Sequence, residues 1–219
     1  MSNISAVEIS EQAPQSLAEQ AYLAIRDLIV TLKLAPGALI DERRLIGSLG
    51  IGRTPIREAL RRLAQEQLVE VFPRRGMFVT GVDVRDLAHI SEVRETLEPA
   101  AARLAAERAT DAEREALRAL LAEIGGGSDL MNLDERVHRA VYRAAHNEFM
   151  EVTLGRYYVL ALRIWMIALD RAHELEEAVE AHRDLLEAIL DGDGEQASTA
   201  MRDHVQNFER AMRRVLVTG

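Results

Sequence analysis

Residues 36–80 read PGALIDERRLIGSLGIGRTPIREALRRLAQEQLVEVFPRRGMFVT, and this stretch decides the fold of the N-terminal part of the chain. Asp41 is a suitable N-cap for a short helix that ends at Gly50, because aspartate caps helix starts and glycine tolerates the left-handed conformation at helix ends. Thr54 and Pro55 predict the start of the next helix, with the threonine as N-cap and the proline at the first helical position. Two short helices joined by a glycine turn are typical of a helix-turn-helix.

The flanking residues extend this motif on both sides. Residues 15–33 place apolar side chains at the 3.6-residue spacing of an amphipathic helix. Residues 69–72 and 77–80 are β-prone runs separated by Pro-Arg-Arg-Gly, which predicts a hairpin. We therefore predict a winged helix-turn-helix domain over residues 15–81, with three helices and a β-hairpin wing. A disordered N-terminal arm is expected over residues 1–14.

The rest of the chain is predicted to be all helical, so the whole protein is expected to be mainly α. Caps and breakers divide residues 82–219 into about six helices, with a break at the glycine run 125–128. The predicted helices are Asp83–Ala109, Asp111–Ile124, Asp129–Ala145, Glu148–Ala172, Glu174–Leu190 and Glu195–Leu216.

Composition excludes several classes of protein. The 219 residues contain no cysteine, which excludes disulfide frameworks, thiolate zinc fingers, iron–sulfur clusters and cysteine nucleophiles. We find no apolar run long enough to span a membrane and no basic-then-apolar signal pattern at the N-terminus. A cytoplasmic protein without a membrane partner is therefore expected.

The net charge of −9 conceals an uneven distribution. Residues 1–80 carry ten basic and nine acidic side chains (+1), whereas residues 81–219 carry 17 and 27 (−10). Within residues 41–76 the count is eight against five, or +3. Because attraction to phosphate follows local positive charge, an acidic average does not exclude a nucleic-acid partner for the N-terminal domain.

The third predicted helix carries candidate DNA-binding residues. Arg53 and Thr54 lie at its start and Arg57 follows on its outer side, and the N-terminal end of such a helix reaches base edges in the major groove. Arginine can bind guanine O6 and N7 with two hydrogen bonds. At the tip of the hairpin, Arg75 and Gly76 suit the minor groove or the DNA backbone. The alternative is an ordinary solvated helix face.

Four residues of the helical half have the chemistry of a metal site. Asp134 and His138 are four residues apart and therefore share one helix face, while His182 and His204 each lie on the apolar stripe of their own helix. One carboxylate and three neutral imidazoles could bind a divalent metal and leave positions open for water or a ligand. For any one of these histidines, the alternative is a hydrogen-bonded core residue.

Two arginines are candidates for effector binding. Arg94 borders an apolar stripe and has Glu98 as an i, i+4 partner, so an ion pair competes with a role in binding a ligand carboxylate. Arg163 stands alone in an apolar run and is the weaker candidate, because a side chain that reaches back to the surface explains it nearly as well.

Residues 36–80 resemble the DNA-binding domain of GntR-type bacterial regulators. The resemblance rests on the Glu-x-x-Leu of the second helix, the run Gly-Arg-Thr-Pro-Ile-Arg-Glu-Ala-Leu and the Arg-Gly of the wing. One departure is Gly52, where the family usually has serine or threonine. By resemblance, the DNA-contacting positions are Arg43, Arg53, Thr54, Arg57, Arg75 and Gly76.

Residues 83–216 are similar to the all-α FCD effector domain of FadR-subfamily GntR regulators, through the Asp-x-x-x-His that ends at His138, the later Glu-Ala-His182 and the final His204. The resemblance implies a metal ion beneath a cavity for a small organic acid, with Arg94 facing the cavity. Zinc is the expected metal, with nickel or manganese as alternatives. The implied metal ligands are Asp134, His138, His182 and His204.

These observations favour a ligand-responsive bacterial transcription factor that is not an enzyme. We expect a homodimer that binds palindromic half-sites in a double-stranded DNA operator and responds to a small carboxylate effector, with repression of a metabolic operon as the family habit. Bound to DNA, it would be associated with the nucleoid. The first alternative is a metal-dependent hydrolase or lyase fused to a DNA-binding head, although no second acid or base accompanies the ligands. The second is an architectural DNA binder with a structural metal.

Overall fold

The computed structural model describes residues 16–126, 129–168 and 179–218. It confirms a mainly α protein with a small β-hairpin near the N-terminus. The described chain forms two compact units that divide between Thr80 and Gly81, except that residues 30–32 group with the second unit. The predicted N-terminal arm lies outside the described residues, as do the end of the helix predicted over residues 148–172 and the start of the one predicted over residues 174–190.

The first unit is a winged helix-turn-helix. A side-chain oxygen of Asp41 accepts hydrogen bonds from two backbone N–H groups at the start of the second helix, and Gly50 ends that helix at a φ of +66°. The strands are antiparallel, with Val69 opposite Val79. The elements are α1 (Leu17–Val30), α2 (Glu42–Leu49), α3 (Arg53–Gln65), β1 (Val69–Phe72) and β2 (Gly76–Val79).

The prediction that Thr54 is the N-cap of α3 is wrong. The helix begins at Arg53, and Gly52 holds the cap position with an extended backbone and no side-chain hydrogen bond. The Gly52 carbonyl accepts the first helical bond from Ile56, so Thr54 lies within the first turn. Helix α3 therefore has no side-chain cap, and Thr54 is exposed on its first turn.

The second unit is a bundle of α-helices. Asp83 caps a short 3-10 turn at Val84–Asp86. The sequence predicted one continuous helix from Asp83, but the long helix begins only after this turn, at Leu87. Thr110 and Glu113 form a capping box at the start of the next helix. The helices are α4 (Leu87–Arg108), α5 (Asp111–Glu123), α6 (Leu130–Ala144), α7 (Glu148–Ala168), α8 (His182–Asp191) and α9 (Gly194–Thr218).

Helix α4 is the central helix of this bundle, because it packs against α6, α7, α8 and α9. Its second half buries four alanines, whose small side chains let neighbouring helices approach closely: Ala101, Ala102, Ala105 and Ala106. Its first half carries Arg94 and Glu98, which are also buried. The polar groups of the candidate site therefore lie inside the bundle. Within the described residues, no helix is long and apolar enough to cross a membrane.

Candidate metal centre and DNA-binding surface

The structure brings together the four residues that the sequence predicts as metal ligands. Helix α6 supplies Asp134 and His138, α8 supplies His182, and α9 supplies His204. All four side chains are buried, and one ligand atom from each lies within 4.8 Å of the others. Helix α6 is far from α8 and α9 in the sequence, so the four residues come together only in the folded bundle.

The spacing of the three imidazoles fits a shared metal ion. The Nε2 atom of His138 lies 3.2 Å from that of His204 and 3.3 Å from that of His182. Two nitrogens that each lie about 2.0–2.1 Å from a tetrahedral zinc ion are about 3.3–3.4 Å apart. The Oδ1 atom of Asp134 lies 3.7 Å from Nε2 of His182.

The protonation states also suit metal binding. Burial lowers the pKa of His138 well below its usual value, and the rings of His182 and His204 act in the same direction. Burial also lowers the pKa of His204 well below its usual value. For His182, burial lowers the pKa although the Asp134 carboxylate opposes it. Neutral imidazoles keep the lone pairs that bind a metal.

Buried oxygen atoms orient two of these ligands from behind. The hydroxyl of Tyr158 donates to Oδ2 of Asp134 at 2.6 Å, which leaves Oδ1 for a metal. On the far side of the His138 ring, Nδ1 lies 3.0 Å from the Tyr142 hydroxyl and 3.5 Å from Oε2 of Glu98. Metal-binding histidines typically donate from their second nitrogen to such a partner. The donor set and its surroundings therefore fit a divalent metal.

For Arg94, the structure shows the ion pair with Glu98 that the sequence offered as one of two alternatives. Its Nε donates to Oε1 of Glu98 at 2.5 Å, and both side chains are buried. Burial by itself lowers the pKa of Arg94, but Glu98, Tyr142 and Asp134 together outweigh it, so the pKa is raised and the guanidinium stays charged. Arg94 also lines a narrow cavity beside the cluster, together with Asp134, His138, Tyr158, Ala161, Leu162, Trp165, His204 and Phe208.

This cavity is small. The space inside it for a water-sized sphere is about 10 Å³, roughly enough for one water molecule. Arg163 is not among the described residues that line it, although its neighbour Leu162 is. Arg163 is fully buried on α7, and burial lowers its pKa to about 10.

Three residues of this site carried a weak signal in the sequence or none. Glu98 appeared only as an ion-pair partner of Arg94, and Tyr158 was given no role. Tyr142 was not predicted to have a role, although it follows His138 by four residues and therefore lies one turn further on the same face of α6. That spacing was the available signal.

All six residues predicted to contact DNA are exposed in the first unit. Arg57 is held by the neighbouring helix, since its Nε donates to Oε2 of Glu42 at 2.9 Å and its terminal nitrogens are left for another acceptor. Arg62, in contrast, stacks over the Tyr22 ring and pairs with Glu19. The set predicted to contact DNA is Arg43, Arg53, Thr54, Arg57, Arg75 and Gly76.

The wing turn depends on Gly76. This residue has a φ of +107°, which favours glycine, and a Cβ added there would lie 3.1 Å from Cδ1 of Leu39. The guanidinium of Arg75 lies 5.7 Å from the centre of the Phe72 ring. Arg75 and Gly76 are therefore both exposed at the start of β2, on a turn whose backbone only glycine adopts readily.

A winged helix-turn-helix joined to a helical bundle with a buried Asp/His centre defines a class of DNA-binding regulators. Residues 17–79 match the bacterial regulatory proteins of the gntR family, and residues 89–207 match the FCD domain. The chain belongs to the GntR family and carries an FCD domain at its C-terminal side. It is therefore a transcriptional regulator and not an enzyme, and members of this family bind DNA operators and typically dimerise.

Individual relatives agree with this assignment. The chain is 33% identical, over 84% of its length and 80% of the relative's, to an uncharacterized HTH-type transcriptional regulator in an unstable DNA locus of Streptomyces ambofaciens. It is 25% identical to the HTH-type transcriptional repressor RspR of Escherichia coli, over 95% and 94% of the two chains. The solved structure of E. coli McbR/YncC matches with a TM-score of 0.75 and 25% identity, covering 91% of this chain and 98% of that one.

Proposed function

We propose that this protein is a metal-dependent transcriptional repressor whose DNA binding responds to a small carboxylate effector. The observation that carries the proposal is the buried cluster of four donor atoms within 4.8 Å, with the charged Arg94 lining the same cavity. A cation site beside a buried guanidinium attracts an anion. FCD domains commonly bind metals, which supports the same conclusion.

The metal ligands in this proposal are Asp134, His138, His182 and His204. Three imidazoles and one carboxylate favour zinc, and nickel and manganese remain the alternatives. When bound, the ion would supply a Lewis-acid position for an effector oxygen. Side chains of the protein would form the rest of the effector site. Arg94 offers a charged hydrogen-bond donor, and Trp165 and Phe208 form an apolar wall. Arg163 remains a second candidate.

The size of the cavity gives the effector a way to act. Space for about one water molecule does not admit an organic acid, so effector binding requires the lining side chains or their helices to move. Only an effector that prefers one arrangement of the protein can shift DNA affinity. We propose that the effector prefers an arrangement that does not bind the operator, in line with the repressor name of the RspR relative.

The DNA-binding part of the proposal assigns each residue a contact. Arg53 and Arg57 would contact base edges from the start of α3, and Thr54 and the helix N-terminus would contact phosphate. Arg43 would reach the backbone from α2. The wing residues Arg75 and Gly76 would enter the minor groove. Two copies of the chain, joined through residues 82–219, would bind two palindromic half-sites.

The test is a binding titration on DNA from the promoter that controls this gene or its neighbours. Fluorescence anisotropy is recorded with zinc-loaded and chelator-treated protein while sugar acids, dicarboxylates and other small acids are added in turn. We expect at least one acid to weaken operator binding, and only with the zinc-loaded protein. If no acid changes the affinity in either form, the effector part of the proposal fails.

A further inference from the structure

We propose that Glu98 is a positioning residue that serves both Arg94 and the metal centre, an inference that rests on the metal site proposed above. The carboxylate is completely buried on α4. Its Oε1 accepts from Nε of Arg94 at 2.5 Å, while Oε2 accepts from the terminal nitrogen Nη2 of Arg94 at 3.5 Å and lies 3.5 Å from Nδ1 of His138. One carboxylate therefore touches the proposed effector-binding arginine and a proposed metal ligand.

The hydrogen bonds around His138 fix which of its nitrogens carries the proton. The Tyr142 hydroxyl is hydrogen-bonded to Glu98 and lies 3.0 Å from Nδ1 of His138. A tyrosine hydroxyl that donates its hydrogen to a carboxylate can only accept from another partner. Nδ1 must therefore be the donor, and Nε2 keeps its lone pair on the side of the ring that faces the other imidazoles. Glu98 selects the metal-binding tautomer through Tyr142.

Glu98 also sets the charge of the buried site. Arg94 contributes one positive charge, Glu98 and Asp134 contribute two negative charges, and the imidazoles are neutral. A divalent ion brings the total to +1, whereas the same site without the Glu98 charge would reach +2. Because uncompensated charge in a protein interior is costly, Glu98 favours ion binding.

A purely structural role for Glu98 makes a different prediction. If Glu98 only neutralises Arg94, then removing both charges together leaves the metal site intact. In the Arg94→Met, Glu98→Leu double variant, no charge is left unpaired and no acceptor remains for Tyr142, and replacing a buried pair by apolar groups is often neutral for stability. The Tyr142→Phe variant is a second test, because it removes only the bridging hydroxyl.

The experiment measures Zn²⁺ affinity by competition with a chromophoric chelator near neutral pH. We expect the double variant and Tyr142→Phe to bind Zn²⁺ about 10- to 100-fold more weakly than the wild type, which is the usual effect of losing an outer-shell partner. The visible spectrum of the Co²⁺-loaded protein should change in both. The control is His146→Ala, since His146 is partly exposed and paired with Glu113, and its affinity should equal that of the wild type.

The outcomes separate this inference from the proposed function. Wild-type protein that binds no stoichiometric Zn²⁺ would remove the metal site and the role of Glu98 with it. Wild-type protein that binds Zn²⁺, with unchanged affinity in the double variant and in Tyr142→Phe, would overturn the role of Glu98 and leave the metal site standing. The unfolding midpoints of the metal-free proteins are measured alongside, because they distinguish weaker Zn²⁺ binding from loss of the fold.

Discussion

Each unit of the protein contains an arginine held by a glutamate, but the two pairs differ in their surroundings. In the DNA-binding unit, Arg57 pairs with Glu42 at 2.9 Å, and their side chains are 53% and 24% exposed. In the bundle, Arg94 pairs with Glu98 at 2.5 Å, and the side chains are 3% and 0% exposed. The chemical groups are the same, and water is available to only one pair.

This difference in exposure determines what each arginine can do. A solvated pair contributes little to stability, so Arg57 can exchange Glu42 for a base or phosphate at small cost. A buried pair is costly to break, because removal of one partner leaves a charge without compensation. We infer that the pair in the DNA-binding unit can exchange partners, whereas the pair in the bundle is a permanent part of the site.

The largest expected effect compares the loss of each glutamate. Glu98→Ala should lower the free energy of unfolding by about 3–5 kcal/mol, because Arg94 is then buried without a counter-charge. Glu42→Ala should change it by less than about 1 kcal/mol, because both partners contact solvent. Urea denaturation of the metal-free proteins measures both. Equal losses would show that exposure does not separate the two pairs.

The next effect concerns metal removal. At a free Zn²⁺ concentration of about 100 times the dissociation constant, zinc should stabilise the native protein by about 2.7 kcal/mol. Chelation should therefore lower the unfolding temperature of the wild type. His204→Ala should show no such shift, while the matched control His146→Ala should behave like the wild type. A full zinc-dependent shift in His204→Ala would exclude His204 as a required ligand.

A smaller effect is expected at the DNA surface. Arg57→Ala should weaken operator binding by about 1–3 kcal/mol if the side chain contacts a base, and the ratio of operator to random-DNA affinity should fall. Arg61→Ala, also exposed on α3, is the matched control and should leave that ratio unchanged. Gel-shift titrations at two salt concentrations measure both. An unchanged ratio in Arg57→Ala would rule out base recognition by this residue.

The smallest effect should follow Glu42→Gln. The substitution removes the charge that holds Arg57 by its Nε, so random-DNA affinity should rise slightly while operator preference falls, with a change below about 1 kcal/mol in each. The affinity should also depend more steeply on salt, because the freed guanidinium can neutralise a phosphate. Anisotropy titrations on operator and random DNA test this. A gain in operator preference would show that Glu42 competes with base recognition.

The sequence predicted the elements of both units, because their signals are local. Asp41 and Gly50 identify the ends of α2, and the spacing of Asp134 and His138 places two donors on one face of α6. The cap of α3 was misplaced by two residues, because Gly52 forms the cap through its backbone and not through a side chain. A propensity for side-chain capping could not reveal that.

The tertiary partners could not be predicted. Glu98 and His138 lie on different helices, and no local spacing relates them. The pairing of Glu42 with Arg57 depends on the angle between α2 and α3, which the turn residues do not determine by themselves. The size of the cavity depends on the way in which the large side chains of α7 and α9 pack together, and the amino-acid composition does not determine that packing.

The alanines of α4 have a consequence for the position of His204. Helix α4 packs most extensively against α9, and α9 carries His204. The thickness of the side chains between two helices determines their separation. We infer that the small side chains of Ala101, Ala102, Ala105 and Ala106 help to set how closely the neighbouring helices approach α4, including α9, which carries His204. Larger residues at these positions are expected to push α4 and its neighbours apart and so to move His204, although no member of the Asp/His cluster is itself changed.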